Sequence, residues 1–289
     1  MASIRQLKSR IRSVKSTKQI TKAMQLVAAS KMRRAQEADK ASAPYTQAAS
    51  ELLTYFASQG VTDDHPLFQK REVKSRLLIV VAADKGLVGA YNTNVMKAYL
   101  RELRADDKAG VSNATIAVGR RVSQFATRLK DTEIAGVYTH LPDHPAGDEL
   151  NAILGTARQL FLDGEVDAVD VIYTEFINSI RQEVVVKRVL PAGFNETEVS
   201  ENVRDALYEP NVETVLEGVA YRLVGAQIFQ ALLDARASEY SMQMVAMKNA
   251  TDNASSLADD LTLAMNKVRQ GAITQELAEI SGGVEALSE

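Results

Sequence analysis

The chain has 289 residues and a mass of 31.5 kDa; 46% of it is hydrophobic, yet only 6% is aromatic and tryptophan is absent. That balance excludes a disordered chain and favours helices packed through small and aliphatic side chains. The absence of cysteine excludes disulfides, thiolate metal sites and a cysteine nucleophile, and the net charge of −3 conceals a strong asymmetry. Residues 1–40 hold eleven Lys and Arg against Glu37 and Asp39, a net of +9, so the remainder carries −12.

No run approaches the ~20 apolar residues that span a bilayer. The start, Met1-Ala2-Ser3-Ile4-Arg5, lacks the apolar stretch of a signal peptide, so the expectation is a soluble protein that reaches a membrane only through a partner.

Residues 1–59 contain no glycine and one proline, Pro44, and predict a long helix capped by Ser3. Its apolar positions, Ile4, Leu7, Ile11, Val14, Ile20, Met24 and Val27, are bridged through Thr17 in steps of three and four. The step through Thr17 to Ile20 breaks a strict heptad and predicts locally altered supercoiling. A basic arm of this kind suits nucleic acid phosphates, an anionic surface or an acidic protein collar. Its aliphatic stripe demands a helical mate, which places a protein partner ahead of nucleic acid.

Residues 72–209 change period. Buried-strand runs at Arg76–Ala83, Ala114–Val118 and Val169–Thr174 alternate with helical patterns near 93–104, 120–130 and 148–162, and Val184–Pro191 adds a last strand. This predicts a central Rossmann-like α/β domain. Residues 192–211 form an acidic, turn-rich connector.

From 212 to 289 helical periodicity returns. Met244, Met247, Thr251, Ala254, Ala258, Leu261, Met265, Val268 and Ala272 keep a three-four alternation, with Gly282-Gly283 predicted to end the helix. A helix of about 50 residues reaches roughly 75 Å. Each stripe is too narrow to be buried in a globule, so the two terminal helices are expected to cover each other as an antiparallel coiled coil.

The sequence offers no catalytic, cofactor or metal site. The turn Ala83–Asn92 follows a strand but has neither GxGxxG nor GxxxxGK[ST], which leaves a tight strand-to-helix turn. His140 and His144 fall in a Pro- and Gly-rich run that reads as a loop rather than a metal-binding helix, and His65 stands alone. Ser30, Lys31, Asp84 and Glu175 share no spacing that makes a nucleophile and base, and Tyr221 and Tyr240 read as helix packing.

Three motifs carry a family resemblance. They are Ile11-Arg12-Ser13-Val14-Lys15-Ser16-Thr17-Lys18-Gln19-Ile20-Thr21-Lys22-Ala23-Met24 with its continuation to Gln36, the turn Asp84-Lys85-Gly86-Leu87 with Gly89, and Met244–Ala254 followed by Asn266–Gln270 and Ile273–Ile280. In this order, over essentially the full length, they resemble the ATP synthase gamma family. The resemblance implies a non-catalytic central rotor: an antiparallel coiled coil inside a ring of three alpha and three beta subunits, and an α/β domain beside the epsilon subunit and on the membrane c-ring. It implies rotor–stator coupling roles for Met24, near an acidic beta-subunit loop, for Arg269 and Gln270, and for Thr274 and Glu276. Gln243, Val88 and Met265 depart from the family's frequent Arg, Cys and Tyr. The short, cysteine-free middle is unlike the chloroplast form and implies a bacterial type, on the cytoplasmic side of the plasma membrane.

Overall fold

The computed structural model describes residues 3–129, 132–143, 147–194 and 197–288. They divide into two compact units, one formed by the residues up to Val27 with those from Met244 onward, the other by Ala28–Gln243. The helices α1 (Ile4–Ser58) and α6 (Val212–Ser288) contribute to both.

In the first unit α1 opens on a capping box: Gln6 N–H donates to Ser3 Oγ at 3.3 Å and Ser3 N–H donates back to Gln6 Oε1 at 3.0 Å. Lys18 Nζ donates to Ser255 Oγ at 2.9 Å and Thr251 Oγ1 to Thr21 Oγ1 at 2.8 Å. Position rises on α1 as it falls on α6, so the pair is antiparallel. On α6 the buried and half-buried positions include Met244, Met247, Thr251, Ala254, Ala258, Leu261, Met265, Val268 and Ala272, the stripe expected from sequence.

On α1 the seam differs. Leu7, Ile11, Val14, Thr21 and Ala28 are covered, a regular heptad, whereas Thr17 is exposed and Ile20 and Val27 remain 57% and 56% exposed. No irregular step is needed. Thr21 faces the α6 stripe of Thr, Ala and Met, and small side chains there let the helices close on a hydroxyl pair. The larger Ile20 and Val27 are left outside. The helix α6 also continues through Gly282-Gly283 to Ser288. Glycine lowers helix propensity by ~1 kcal/mol against alanine but keeps its N–H, so it weakens a helix without ending it.

The second unit is built on a five-stranded sheet in the order β3-β2-β1-β4-β5, from β1 (Ser75–Val81), β2 (Ser112–Val118), β3 (Glu133–Tyr138), β4 (Ala168–Phe176) and β5 (Gln182–Leu190). The first four strands are parallel and β5 runs antiparallel to β4. Period-two alternation sends Leu78 and Val80 to a face covered by α2 (Tyr91–Ala109) and α3 (Arg120–Ala126). It sends Leu77, Ile79 and Val81 to a face covered by α4 (Gly147–Leu162) and the first part of α6. A short α5 (Glu201–Arg204) lies in the connector. The edge strand β3 was not anticipated. It is six residues long, mostly half-buried, and carries Gly136, so it has no apolar run to mark it.

Between β2 and α3 the backbone at Gly119 has φ +100, and a Cβ there would lie 2.0 Å from the Ala82 carbonyl oxygen. Only glycine fits this crossing. On the α2 side, Arg76 is buried among Asp170, Asp106 and Glu102, while Arg188 also reaches Asp170. This network pins the acidic side of α2 to the sheet. Farther along α1, Ala49, Leu53 and Phe56 pack with Leu216 and Leu223 of α6.

Candidate functional site

Two surfaces merit attention: the paired helices of the first unit and the carboxyl end of the sheet in the second.

Among residues 3–27 lie Arg5, Lys8, Arg10, Arg12, Lys15, Lys18 and Lys22 with no acidic residue. All seven are exposed, and none has an ion-pair partner among the described residues. Lys15, Lys18, Gln19, Lys22, Ala23 and Leu26 line a shallow groove with Thr251. Apolar Ile20, Leu26 and Val27 stand among the cations at 56–60% exposure. A cationic face with apolar side chains off the seam is a surface prepared for another molecule rather than for its own fold. These three were missed by the sequence pattern, which placed Ile20 and Val27 inside. The signal for them was the competing heptad through Thr21 and Ala28.

Met24 is half-buried on the same stretch of α1, and Arg269, Gln270, Thr274 and Glu276 are exposed on α6. The register set by Lys18–Ser255 and Thr21–Thr251 places Arg269 and Gln270 opposite Ser3, at the beginning of α1. Thr274 and Glu276 lie past that point, where α6 has no described α1 residue opposite it. The Thr274 hydroxyl donates to its own helix at the Gln270 carbonyl, 2.9 Å away. Ile273, Leu277 and Ile280 form an i, i+4, i+7 apolar line there, 49%, 60% and 64% exposed. The four α6 residues therefore share two helical turns, whereas Met24 lies about 30 Å along the helix axis from Arg269 at 1.5 Å per residue. They lie at two separate places on the helices rather than in one cluster.

At the carboxyl end of the parallel strands, an open sheet of this order leaves a crevice at the switch between β1 and β4 where a nucleotide binds. Here α6 occupies it. Ala231, Leu232 and Ala235 are buried there, Tyr91 donates from its buried hydroxyl to the Ala235 carbonyl at 3.2 Å, and Ser238 Oγ donates to the Thr174 carbonyl at 3.0 Å. What remains is a cavity of about 10 Å³ lined by Asp84, Tyr91, Arg236 and Glu239, no larger than one water.

Asp84 is a structural anchor in this region rather than a surface pair. Its carboxylate accepts the backbone N–H of Arg120 at 2.9 Å and of His140 at 3.2 Å, and Arg236 Nη2 lies 4.0 Å away. Arg236 donates to Glu239 at 2.9 Å and to the Leu141 carbonyl at 2.8 Å. Asp143 receives the Tyr240 hydroxyl and an ion pair from Lys31 at 2.9 Å. Burial pushes the Glu239 carboxyl up and the Arg236 cation opposes it; burial acts the same way on Asp143, but hydrogen bonds from Tyr240 and Lys31 hold that carboxyl below its usual range. Val88 is buried with Ala83 and Tyr91, a packing position. His140 is outside any helix with φ 60, and His144 lies outside the described residues. Among the described residues no cluster of His, Cys, Asp and Glu fits a metal ion.

A family model described as ATP synthase matches residues 3–287. The chain is 41% identical over 292 residues to the ATP synthase gamma chain of Ralstonia nicotianae, covering 99% of this chain and all of that one. To the ATP synthase gamma chain of Stenotrophomonas maltophilia it is 38% identical over 288 residues, with the same coverage. Its fold is similar to a chain of the Euglena gracilis mitochondrial ATP synthase (OSCP/F1/c-ring), with a TM-score of 0.66 at 19% identity over 98% of this chain and 94% of that one. A chain of the Tetrahymena thermophila mitochondrial ATP synthase central stalk and c-ring gives 0.56 at 22% identity, over 80% of this chain and 99% of that one.

Proposed function

Because the chain belongs to the ATP synthase gamma chain family, we propose that it is the central rotor shaft of a proton-translocating F-type ATP synthase, coupling c-ring rotation to the conformational cycle of the catalytic beta subunits. The observation that carries this reading is the first unit itself. Its two helices meet on a narrow seam of small and medium residues and turn outward a cationic face and an apolar line that stay exposed among the described residues. A shaft that turns inside a collar needs such a surface: many moderate contacts, no single deep minimum, and no catalytic group of its own.

In this reading three alpha and three beta subunits surround one copy of the chain. Met24 and the Lys22 groove meet acidic beta-subunit loops. Arg269 offers a bidentate fork to a carboxylate and Gln270 a neutral hydrogen-bonding partner, with Thr274 and Glu276 in the same coupling region. The α/β domain contacts the epsilon subunit and the c-ring. No helix among the described residues is long and apolar enough to cross a membrane. Membership of the family supports a chain that meets the bilayer through the c-ring, on the cytoplasmic side of a bacterial plasma membrane.

Native mass spectrometry of the chain mixed with alpha and beta subunits from the same cell tests the assignment. One copy per three alpha and three beta supports it, and a homodimer that ignores both partners defeats it. Replacing Met24 with Lys should then weaken proton pumping per ATP hydrolysed, and unchanged pumping removes Met24 from the coupling contact.

A further inference from the structure

The face that α6 lays against the sheet end carries small side chains, Ala231, Ala235 and Ser238, beside Leu232. Small side chains pack closely but present little relief, so they resist poorly when a helix is twisted about its axis. Directional contacts at the rim supply what the packing lacks, and they converge on the loop after β3. Asp143 in that loop receives Tyr240 from α6 and Lys31 from α1, so one carboxylate holds both long helices. Arg236 of α6 donates to the Leu141 carbonyl of the same loop. Asp84 at the end of β1 fixes the loop in turn, accepting the His140 N–H together with that of Arg120 at the start of α3.

We infer that Lys31, Asp143, Arg236 and Asp84 form the joint through which the α/β domain and the two long helices turn as one body. This rests on the rotor reading and adds positioning residues to it that touch no partner subunit. The joint is graded. Arg236 and Asp84 are 15% and 13% exposed and serve the fold as well, while Lys31 and Asp143 are 35% and 42% exposed. An ion pair that open contributes little to folding. Its use is to restrain α1.

The test is made in the whole ATP synthase in membrane vesicles, by measuring ATP-driven proton pumping per ATP hydrolysed for the double variant K31M/D143N, for R236Q and for K31R. Native mass spectrometry of each complex accompanies it. The double variant is expected to assemble and to hydrolyse ATP within about twofold of the parent, yet to lose at least about threefold in protons pumped per ATP, because a coupling lost at both partners of one contact exceeds independent surface effects. Lys31→Arg, which keeps the ion pair, should restore the parent ratio. R236Q should slip further; if it fails to fold, the half-exposed pair alone decides. An intact K31M/D143N complex that pumps as many protons per ATP as the parent overturns the joint and leaves the rotor reading standing. A parent chain that never enters the complex overturns the rotor reading itself.

Discussion

The two units of this molecule solve opposite problems with one kind of helix. In the Ala28–Gln243 unit the sheet is covered on both faces, and its charges are drawn into networks such as Arg76 with Asp170, Asp106 and Glu102. In the paired-helix unit the seam is a single file of small and medium side chains, and seven cations stand without ion-pair partners among the described residues. The sheet unit spends its side chains on itself. The paired-helix unit turns most of its charged side chains outward, and a coiled coil with so narrow a seam is stabilised further only when something surrounds it.

The largest expected effect breaks the self-contained side. Arg76→Met leaves Asp170, Asp106 and Glu102 facing one another in a buried place, and removal of one partner from such a network costs about 3 to 5 kcal/mol. Urea unfolding should show that loss, with α2 released first in hydrogen exchange. A cost under ~1 kcal/mol would mean that the network is solvated and does not pin α2.

Next comes the seam. Thr251→Leu overpacks the seam of the helix pair, where Thr251 meets Thr21 at 2.8 Å, at a cost of about 1 to 3 kcal/mol. Hydrogen exchange should quicken in residues 244–270 and stay unchanged in the strands. Equal quickening in both would show that the units open together and dissolve the contrast between them.

A third effect depends on pH. The Asp234 carboxyl is pushed up to about 7 by burial and by the nearby Asp39 and Glu175, with Lys187 opposing. The folded chain therefore holds a proton that the unfolded chain releases near 3.8, and stability falls as pH rises through that window and is level above it. Asp234→Asn should be more stable than the parent at about pH 8 by about 1 to 2 kcal/mol, less than full burial would give, and the difference should shrink toward about pH 5. A variant that gains nothing at the higher pH would place Asp234 in contact with water.

How far these features could be read beforehand follows from what each rests on. The α6 stripe from Met244 to Ala272 was legible because one face repeats without interruption. The strands β1, β2, β4 and β5 were legible as β-branched and aliphatic runs, and β3 was not, since an edge strand with Gly136 carries too little pattern. On α1 the larger apolar residues misled: Ile20 and Val27 drew the stripe outward, and the true seam runs through Thr21 and Ala28, which are chosen for size. The coupling roles expected on the helices came from resemblance to a family, because an exposed Arg269 looks like any surface arginine. The Lys31–Asp143–Arg236 cluster had no local signal at all. Its members are scattered along the chain, and only the topology brings them to one loop.

The smallest effect on stability should accompany a large effect on coupling. Beyond Gln270, α6 has no described α1 residue opposite it, and Ile273, Leu277 and Ile280 are about half exposed or more. Ending the chain after Gln270 therefore removes little buried surface, and the urea midpoint of the α/β domain should stay where it is. In the assembled enzyme the same truncation removes Thr274, Glu276 and the apolar line, so pumping per ATP should fall as the bearing loses its end. Wild-type pumping from the truncated complex would confine coupling to Met24, Arg269 and Gln270. Global unfolding would be the more instructive failure, because it would show that the tip covers itself in a way its exposure does not reveal, and that the helix pair is a folding unit before it is a bearing.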